Sequence, residues 1–431
     1  MELLDLPREL VEEILTFCHP LDVARVAQAN RFLRSLVYDS EDSAIWRQLY
    51  LAQPLDDPRE CIDITGQKKL SVDWKVELQR FVRAQSVVAK KSLGRQGELG
   101  EILNTLVNLV MNTIPKSDPL ARIGNNLTIA QILLHDGWID FVKEQDLNEK
   151  ETQLVNQLHT FYGLTDNDTR ADARVKSRSF VYNMKNYSWN NEFGPYNDDG
   201  TVNWVHVNAI RQVISRQLLS TELDDDGLDE ETQYTIYPLG LPYIQPMLRD
   251  EVDTEPEPSD WAGVEGEWIV SFCFCDHRIL IVFNDDIAIS FAQTTAGFPR
   301  DTSLLEGDTF QEVIRCMSVQ LKVTKTEFDK DHPTQPTIYF VGVMKNLPDT
   351  VLTGKVSATK EGYARWQFTS GEAGNIIWSS DGVQVGGIRS EYGVLGAWTT
   401  IFHDPDDPIG PFWLRKAQSS ITVTAVPKPR A

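Results

Sequence analysis

The stretch that decides the fold opens the chain: LPRELVEEILTFCHPLDVARVAQANRFLRSLV over residues 6–37, then, after a short break, IWRQLY over residues 45–50. From Pro7 to Phe17 the apolar residues Leu10, Ile14, Leu15 and Phe17, with Val11 beside them, recur at helical spacing and make a broad stripe. Pro7 suits the first position of a helix, and Glu9 and Glu12 complement the positive end of its dipole. Pro20 lacks an amide hydrogen, so that helix stops before it. Asp22 is a good N-cap for a second helix carrying Val23, Val26 and Ala27 inward, and Phe32, Leu33 and Leu36 continue the pattern. Asp39-Ser40-Glu41-Asp42-Ser43 then breaks the chain before Trp46. The result is a set of short helices with apolar residues on more than one side: Leu6, Pro7 and Leu10 at one end, Val23 and Val26 on the next helix. Fifty residues make a weak core alone, and surplus apolar faces in so small a unit predict a partner.

Outward from this module the chain changes character twice. Residues 53–257 read as a mainly helical middle region, clearest from Leu99 to Ile114, where Leu99, Ile102, Leu103, Leu106, Val107, Val110 and Ile114 share one side and Pro115 ends the run. Further helices are expected at Leu127–Leu134, Glu149–Tyr162 and Trp204–Leu219. Acidic stretches at Glu222–Glu231 and Asp250–Pro258 cannot bury a core and serve as linker. Beyond them, residues 258–431 show strand periodicity, with some ten short strands, among them Arg278–Phe283, Ile287–Gln293 and Ile421–Val426. Asn284-Asp285-Asp286 and Lys360-Glu361-Gly362 suit hairpin turns. The fold class is therefore α+β multidomain: an N-terminal helical bundle over residues 1–52, the helical middle, and a C-terminal antiparallel β-barrel or sandwich.

Composition narrows the function. Of 431 residues, 63 are Asp or Glu against 41 Lys or Arg, a formal charge of −22, which disfavours nucleic acid and anionic membrane as partners. Five cysteines at positions 18, 61, 273, 275 and 316 form no disulfide framework and fit a reducing compartment. Met1-Glu2-Leu3-Leu4-Asp5 lacks the basic start of a signal peptide, and no apolar run reaches membrane-spanning length, so the expected location is cytoplasmic, nuclear or both.

The run from Leu6-Pro7 through Trp46 resembles the F-box, carried by Leu6, Pro7, Glu9, Leu10, Ile14, Leu15, Pro20, Asp22, Val23, Arg25, Val26, Gln28, Arg31 and Trp46. Asn30 stands where that family often has Cys, and Leu33 where it often has Trp. The C-terminal run WSSDGVQVGGIRSEYGVLGAWTTIFHDPDDPIGPFWLRK (residues 378–416), with the order F-box, helical middle, β-rich tail, is similar to a group of fungal F-box proteins. The resemblance implies a non-catalytic substrate-recognition subunit of an SCF-type cullin–RING ubiquitin ligase. It implies that Leu6, Pro7, Leu10, Ile14, Leu15, Pro20, Val23 and Val26 bind a Skp-type adaptor, which links to cullin. Trp46 is expected in the module's core.

Elsewhere the sequence offers little chemistry. No nucleophile elbow, zinc-protease motif, P-loop or dinucleotide fingerprint is present, so neither a cofactor nor a catalytic group is expected. Cys273, Cys275 and His277 would share one face of a strand, yet no second Cys/His pair closes a zinc site, and buried cysteines are the simpler reading. His403-Asp404-Pro405-Asp406-Asp407-Pro408 reads as a rigid turn rather than a metal loop. No metal is expected. Gly266-Glu267-Trp268 is similar to the G-x-W opening of lipocalin-like barrels, which leaves an alternative: a barrel holding a small apolar ligand. For a protein substrate the candidates are Trp378, Gln384, Arg389 and Tyr392, in a glycine-rich segment containing Gly386-Gly387, Gly393 and Gly396. The competing reading has those glycines marking barrel corners while Trp398 and Trp413 fill the core.

Overall fold

The computed structural model describes residues 6–39, 44–117, 121–223, 239–248, 260–285, 302–306, 310–345, 347–372 and 374–417. The chain divides into two compact units, Met1–Leu158 and His159–Ala431, a division inside the stretch that reads from sequence as the helical middle. The acidic stretch 250–258, most of 222–231, and the expected strands at 287–293 and 421–426 lie outside the described residues.

The first unit is helical. Helix α1 (Arg8–Thr16) follows Pro7; α2 (Pro20–Ala29) begins at Pro20, with His19 Nδ1 accepting from the Leu21 amide at 3.2 Å. Asn30 caps α3 (Arg31–Tyr38) by accepting from the Phe32 amide at 2.7 Å, and α4 (Ala44–Leu51) completes the module. Val11, Leu15, Val23, Ala27, Leu36 and Leu49 are fully buried between them. This core does not stop at residue 52: it continues through Tyr50, Leu55 and the buried Trp74, Leu78 and Phe81 of α5 (Trp74–Ala89). A module too small to stabilise itself thus borrows apolar surface from the next helix. Helices α6 (Leu99–Met111), α7 (Asn125–Leu134), α8 (Trp138–Lys143) and α9 (Glu149–Tyr162) follow, the division between units falling within α9. The buried Asp56 carboxylate accepts from the Asn125 and Asn126 amides at 2.8 and 3.2 Å, satisfying the first turn of α7.

The second unit is built on a barrel. Strands β1 (Gly266–Cys275), β2 (Glu312–Glu327), β3 (Thr337–Met344), β4 (Leu347–Ala358), β5 (Ala364–Glu372), β6 (Asn375–Gln384), β7 (Val394–Thr400) and β8 (Gly410–Lys416) pair antiparallel in sequence order, and β1 pairs with β8 to close it. The choice between barrel and sandwich is settled: closure removes both sheet edges. Inside, bulky residues face glycines. A Cβ on Gly396 would lie 2.5 Å from the Phe412 ring, and one on Gly354 2.6 Å from Phe340, so only glycine admits those rings. Trp268 and Trp366 meet edge to face at 5.1 Å in the same interior, and the Trp268 indole donates to the Val264 carbonyl at 2.7 Å.

Helices α10 (Ala171–Val181) and α11 (Trp204–Leu223) belong to this unit and join it through buried charges. Arg178 meets Glu312 at 2.8 Å, and the Tyr182 hydroxyl donates to the same carboxylate at 2.5 Å. Asp168, in a short 3-10 turn before α10, receives Arg211 and His159, each at 2.9 Å. Burial opposes ionisation of Asp168, but Arg211 and His159 outweigh it and hold the carboxyl far below the usual range.

Three sequence expectations fail here. Asp22 does not cap α2 but lies in its first turn, because His19 takes the cap position. Residues 278–283 are not a strand: helix α12 spans His277–Asn284, because Asp276 caps it by accepting from the Arg278 and Ile279 amides. Asn284 correspondingly ends a helix instead of turning a hairpin, its amide donating to the Tyr182 and Leu280 carbonyls.

Candidate functional site

Helix α1 is apolar on two sides. Val11 and Leu15 face the core, while Leu10, Ile14 and Phe17, at i, i+4 and i+7, stand on the opposite side at 45%, 41% and 85% exposure. Pro7 and, on α2, Leu21 are exposed as well. A surface helix needs one apolar stripe to hold its place; among the described residues nothing covers the second. Transferring such side chains out of water stabilises a complex by about 1.5–3 kcal/mol each when burial is complete.

On the barrel unit, a cleft of about 490 Å³ lies over the outer face of β3 to β6. Strand register lines up its floor: Tyr339, Lys355, Gln367 and Asp381 sit opposite one another across four strands, with Thr353, Thr369 and Ser379 in the next row. The wall comes from Trp189, Glu192 and Phe193 and from His403 beyond β7. Phe193 stacks on His403 at 3.8 Å, and Trp189 meets both rings edge to face at 5.2 and 5.0 Å.

The polar groups of the cleft brace one another. Arg365 makes a two-point ion pair with Asp381 and reaches Glu192 at 3.1 Å. The Gln367 amide donates to Asp381 at 2.9 Å and to Glu192 at 3.0 Å. Arg365 also lies over the Tyr196 ring, whose hydroxyl donates to the Gly382 carbonyl at 2.8 Å. Burial pushes the Asp381 carboxyl up to about 6 against the pull of Arg365. Glu192, Phe193 and His403 all adopt left-handed backbone conformations, with φ of 51°, 61° and 53°. Non-glycine residues hold that region at a cost and only where the surroundings fix them, and such positions concentrate at binding sites.

Residues 3–42 match the family model of the F-box domain. This segment is an F-box domain. No curated protein and no solved structure matches the chain. An F-box implies a substrate-adaptor role in an SCF-type ubiquitin ligase and binding to its Skp-type adaptor.

Within the F-box the eight adaptor candidates separate into two groups. Pro7, Leu10 and Ile14 are exposed, and Leu6 and Val26 half-buried, whereas Leu15, Pro20 and Val23 are buried in the core. Those last three pack into the module, because one side of α1 and of α2 must face inward. Phe17, the most exposed apolar side chain of α1 and its cap, is not among these eight; its place three residues past Ile14 puts it on the same side as Leu10 and Ile14. Trp46 is buried, its indole donating to the Val37 carbonyl at 2.9 Å.

The substrate candidates on the barrel do not assemble into a site. Tyr392 is fully buried and its hydroxyl donates to the Thr160 carbonyl at 2.9 Å. Gln384 is buried and accepts from the Trp366 indole at 3.2 Å. Arg389 donates to the Asp260 carbonyl and packs over Gly263. Trp378 is partly exposed, edge to face with Trp398 at 5.4 Å. Cys273 and Cys275 lie on β1, where burial pushes both thiols up, but His277 opens α12 and its ring nitrogen meets the Asp406 carbonyl at 2.8 Å. Among the described residues no group of three His, Cys, Asp or Glu side chains is placed to hold a metal, and no helix is long and apolar enough to cross a membrane.

Proposed function

We propose that the chain is the substrate-recognition subunit of an SCF-type cullin–RING ubiquitin ligase, with the Skp-type adaptor on the Leu10, Ile14 and Phe17 face and a protein substrate on the C-terminal unit. The observation that carries this reading is the second apolar stripe of α1, inside the segment that matches the F-box. The work of such a subunit is proximity: tethering raises the effective concentration of substrate lysines near the ubiquitin thioester, and no catalytic side chain is required of it. The similarity of residues 378–416 to fungal F-box proteins supports the same role, and a cytoplasmic or nuclear location suits it.

The alternative, a small apolar ligand inside the barrel, is disfavoured by the packing. Trp268, Phe340, Trp366, Phe368, Trp398 and Phe412 occupy the interior with one another.

Replacing Leu10 and Ile14 together by Asp tests the proposal in the full-length protein. Co-purification with the Skp-type adaptor is expected to fall at least 100-fold while the melting temperature stays within a few degrees. Undiminished co-purification from a folded variant overturns it.

A further inference from the structure

We propose that the cleft over β3–β6 binds a carbohydrate, a neutral polyhydroxylated ligand either free or carried by a protein. This goes beyond the ligase reading, naming a class of group for the second unit, and does not depend on adaptor binding.

Charge is the first argument. Asp381 and Glu192 are balanced by Arg365 and Lys355, so the cleft has no net charge with which to select a strongly cationic or anionic ligand. Hydrogen-bonding capacity is the second. Thr353, Thr369 and Ser379 carry hydroxyls that both donate and accept, as sugar hydroxyls do, with Thr353 and Thr369 3.3 Å apart, while the Tyr339 hydroxyl donates to Glu327 and keeps its acceptor side. Glu192 is 59% exposed, and its carboxylate has acceptor positions beyond those used by Arg365 and Gln367.

Shape is the third. Trp189 is 71% exposed at the wall, an apolar plate beside a hydroxyl-bearing floor. A sugar ring matches that contrast, since its C–H face is apolar and its rim is polar. Burying an indole face against such a ring gains apolar contact without stranding a polar group. The planar polar groups are already held by one another, and the left-handed backbone at Glu192, Phe193 and His403 fixes the wall, so little ordering remains to be done on binding. A volume of about 490 Å³ is in the range of small-ligand sites.

The test uses the full-length protein on an array of neutral oligosaccharides built from glucose, mannose, galactose and N-acetylglucosamine, followed by calorimetric titration of those retained. At least one is expected to bind. Trp189→Ala is expected to weaken it at least tenfold at an unchanged melting temperature, and Arg25→Ala, a surface change in the other unit, to leave it as in the wild type. Should Trp189→Ala melt early, Thr369→Val probes the same floor with little change of shape. Intact ovalbumin and its enzymatically deglycosylated form separate the two sources: capture of the intact form alone supports a protein-borne sugar, and binding of free oligosaccharide alone supports a free one. The proposal is overturned if no array member binds at millimolar concentration, if binding survives Trp189→Ala, or if a Lys/Arg-rich peptide binds and no sugar does. Adaptor co-purification of Trp189→Ala and Thr369→Val should remain at wild-type level, so failure here leaves the ligase reading intact.

Discussion

The F-box face and the interior of the C-terminal unit break the usual arrangement of polar and apolar groups in opposite directions. On α1, Leu10, Ile14 and Phe17 stay in water; in the second unit, Asp168, Arg211, Arg178 and Glu312 stay out of it. The departures differ in whether anything within the chain compensates them. The buried charges are paired and hydrogen-bonded, so they belong to the architecture. Among the described residues the exposed apolar stripe has no counterpart in its own unit, which is why it reads as function. Tyr392, Gln384 and Arg389 belong with the buried polar groups: residue types that are common at binding hot spots are here consumed by internal hydrogen bonds.

The comparison breaks most visibly at Asp168. Asp168→Asn leaves the fully buried Arg211 without its counter-charge and should cost about 3–5 kcal/mol at neutral pH in urea unfolding of the full chain. Its acid dependence follows from sign. The folded-state carboxyl is depressed, so its contribution is present above the unfolded value of about 3.9 and is lost as pH falls below that. His206, buried against the Tyr187 hydroxyl, is pushed down to about 3 by burial, so a separate loss begins as pH falls below about 6.5. Asp168→Asn should flatten the lower limb and keep the upper one. An unchanged profile below pH ~4 would mean that the Asp168 pair contributes no linkage.

A smaller effect is expected at Tyr392. Removing its hydroxyl in Tyr392→Phe should cost about 1 kcal/mol through loss of its bond to the Thr160 carbonyl. Substrate capture, scored by recovery of ubiquitylated partners from proteasome-inhibited cells, should not change. A loss of capture at wild-type stability would return Tyr392 to the recognition surface.

The smallest change in stability is expected at Phe17. Phe17→Ser should move the unfolding free energy by no more than about 0.5 kcal/mol, since the side chain is 85% exposed. Adaptor affinity should nevertheless fall by about tenfold or more, as for a central apolar anchor. Stability lost in step with affinity would place Phe17 in the core and erase the contrast between the two regions.

The helical module was legible because its apolar residues recur at helical spacing and Pro20 marks a break, although the start of α2 was not: His19 caps it, and Asp22 lies inside. The barrel was legible because short strand-like runs follow one another along the tail. Helix α12 was not. Arg278-Ile279-Leu280-Ile281-Val282-Phe283 is a short apolar run, and periodicity alone cannot tell a buried helix from a strand at that length. The capping Asp276 was the clue, and it directly follows Cys275, the last residue of β1. The cleft was not legible at all. Its floor comes from four strands and its wall from Trp189, Glu192, Phe193 and His403, residues separated by up to some two hundred positions, with no local spacing to connect them.

What the sequence by itself determined is the identity of the N-terminal module, the strand character of the tail and the surplus of apolar residues on α1, because each is a local pattern repeated at the period of its element. Which apolar residues are surplus and which are core was decided only by the tertiary structure, as was the use of Tyr392 and Gln384 as internal braces. Burial depends on what the rest of the chain brings against a side chain. Leu10 and Leu15 are the same residue type five positions apart on one helix; packing against the other helices buries Leu15 and leaves Leu10 in water.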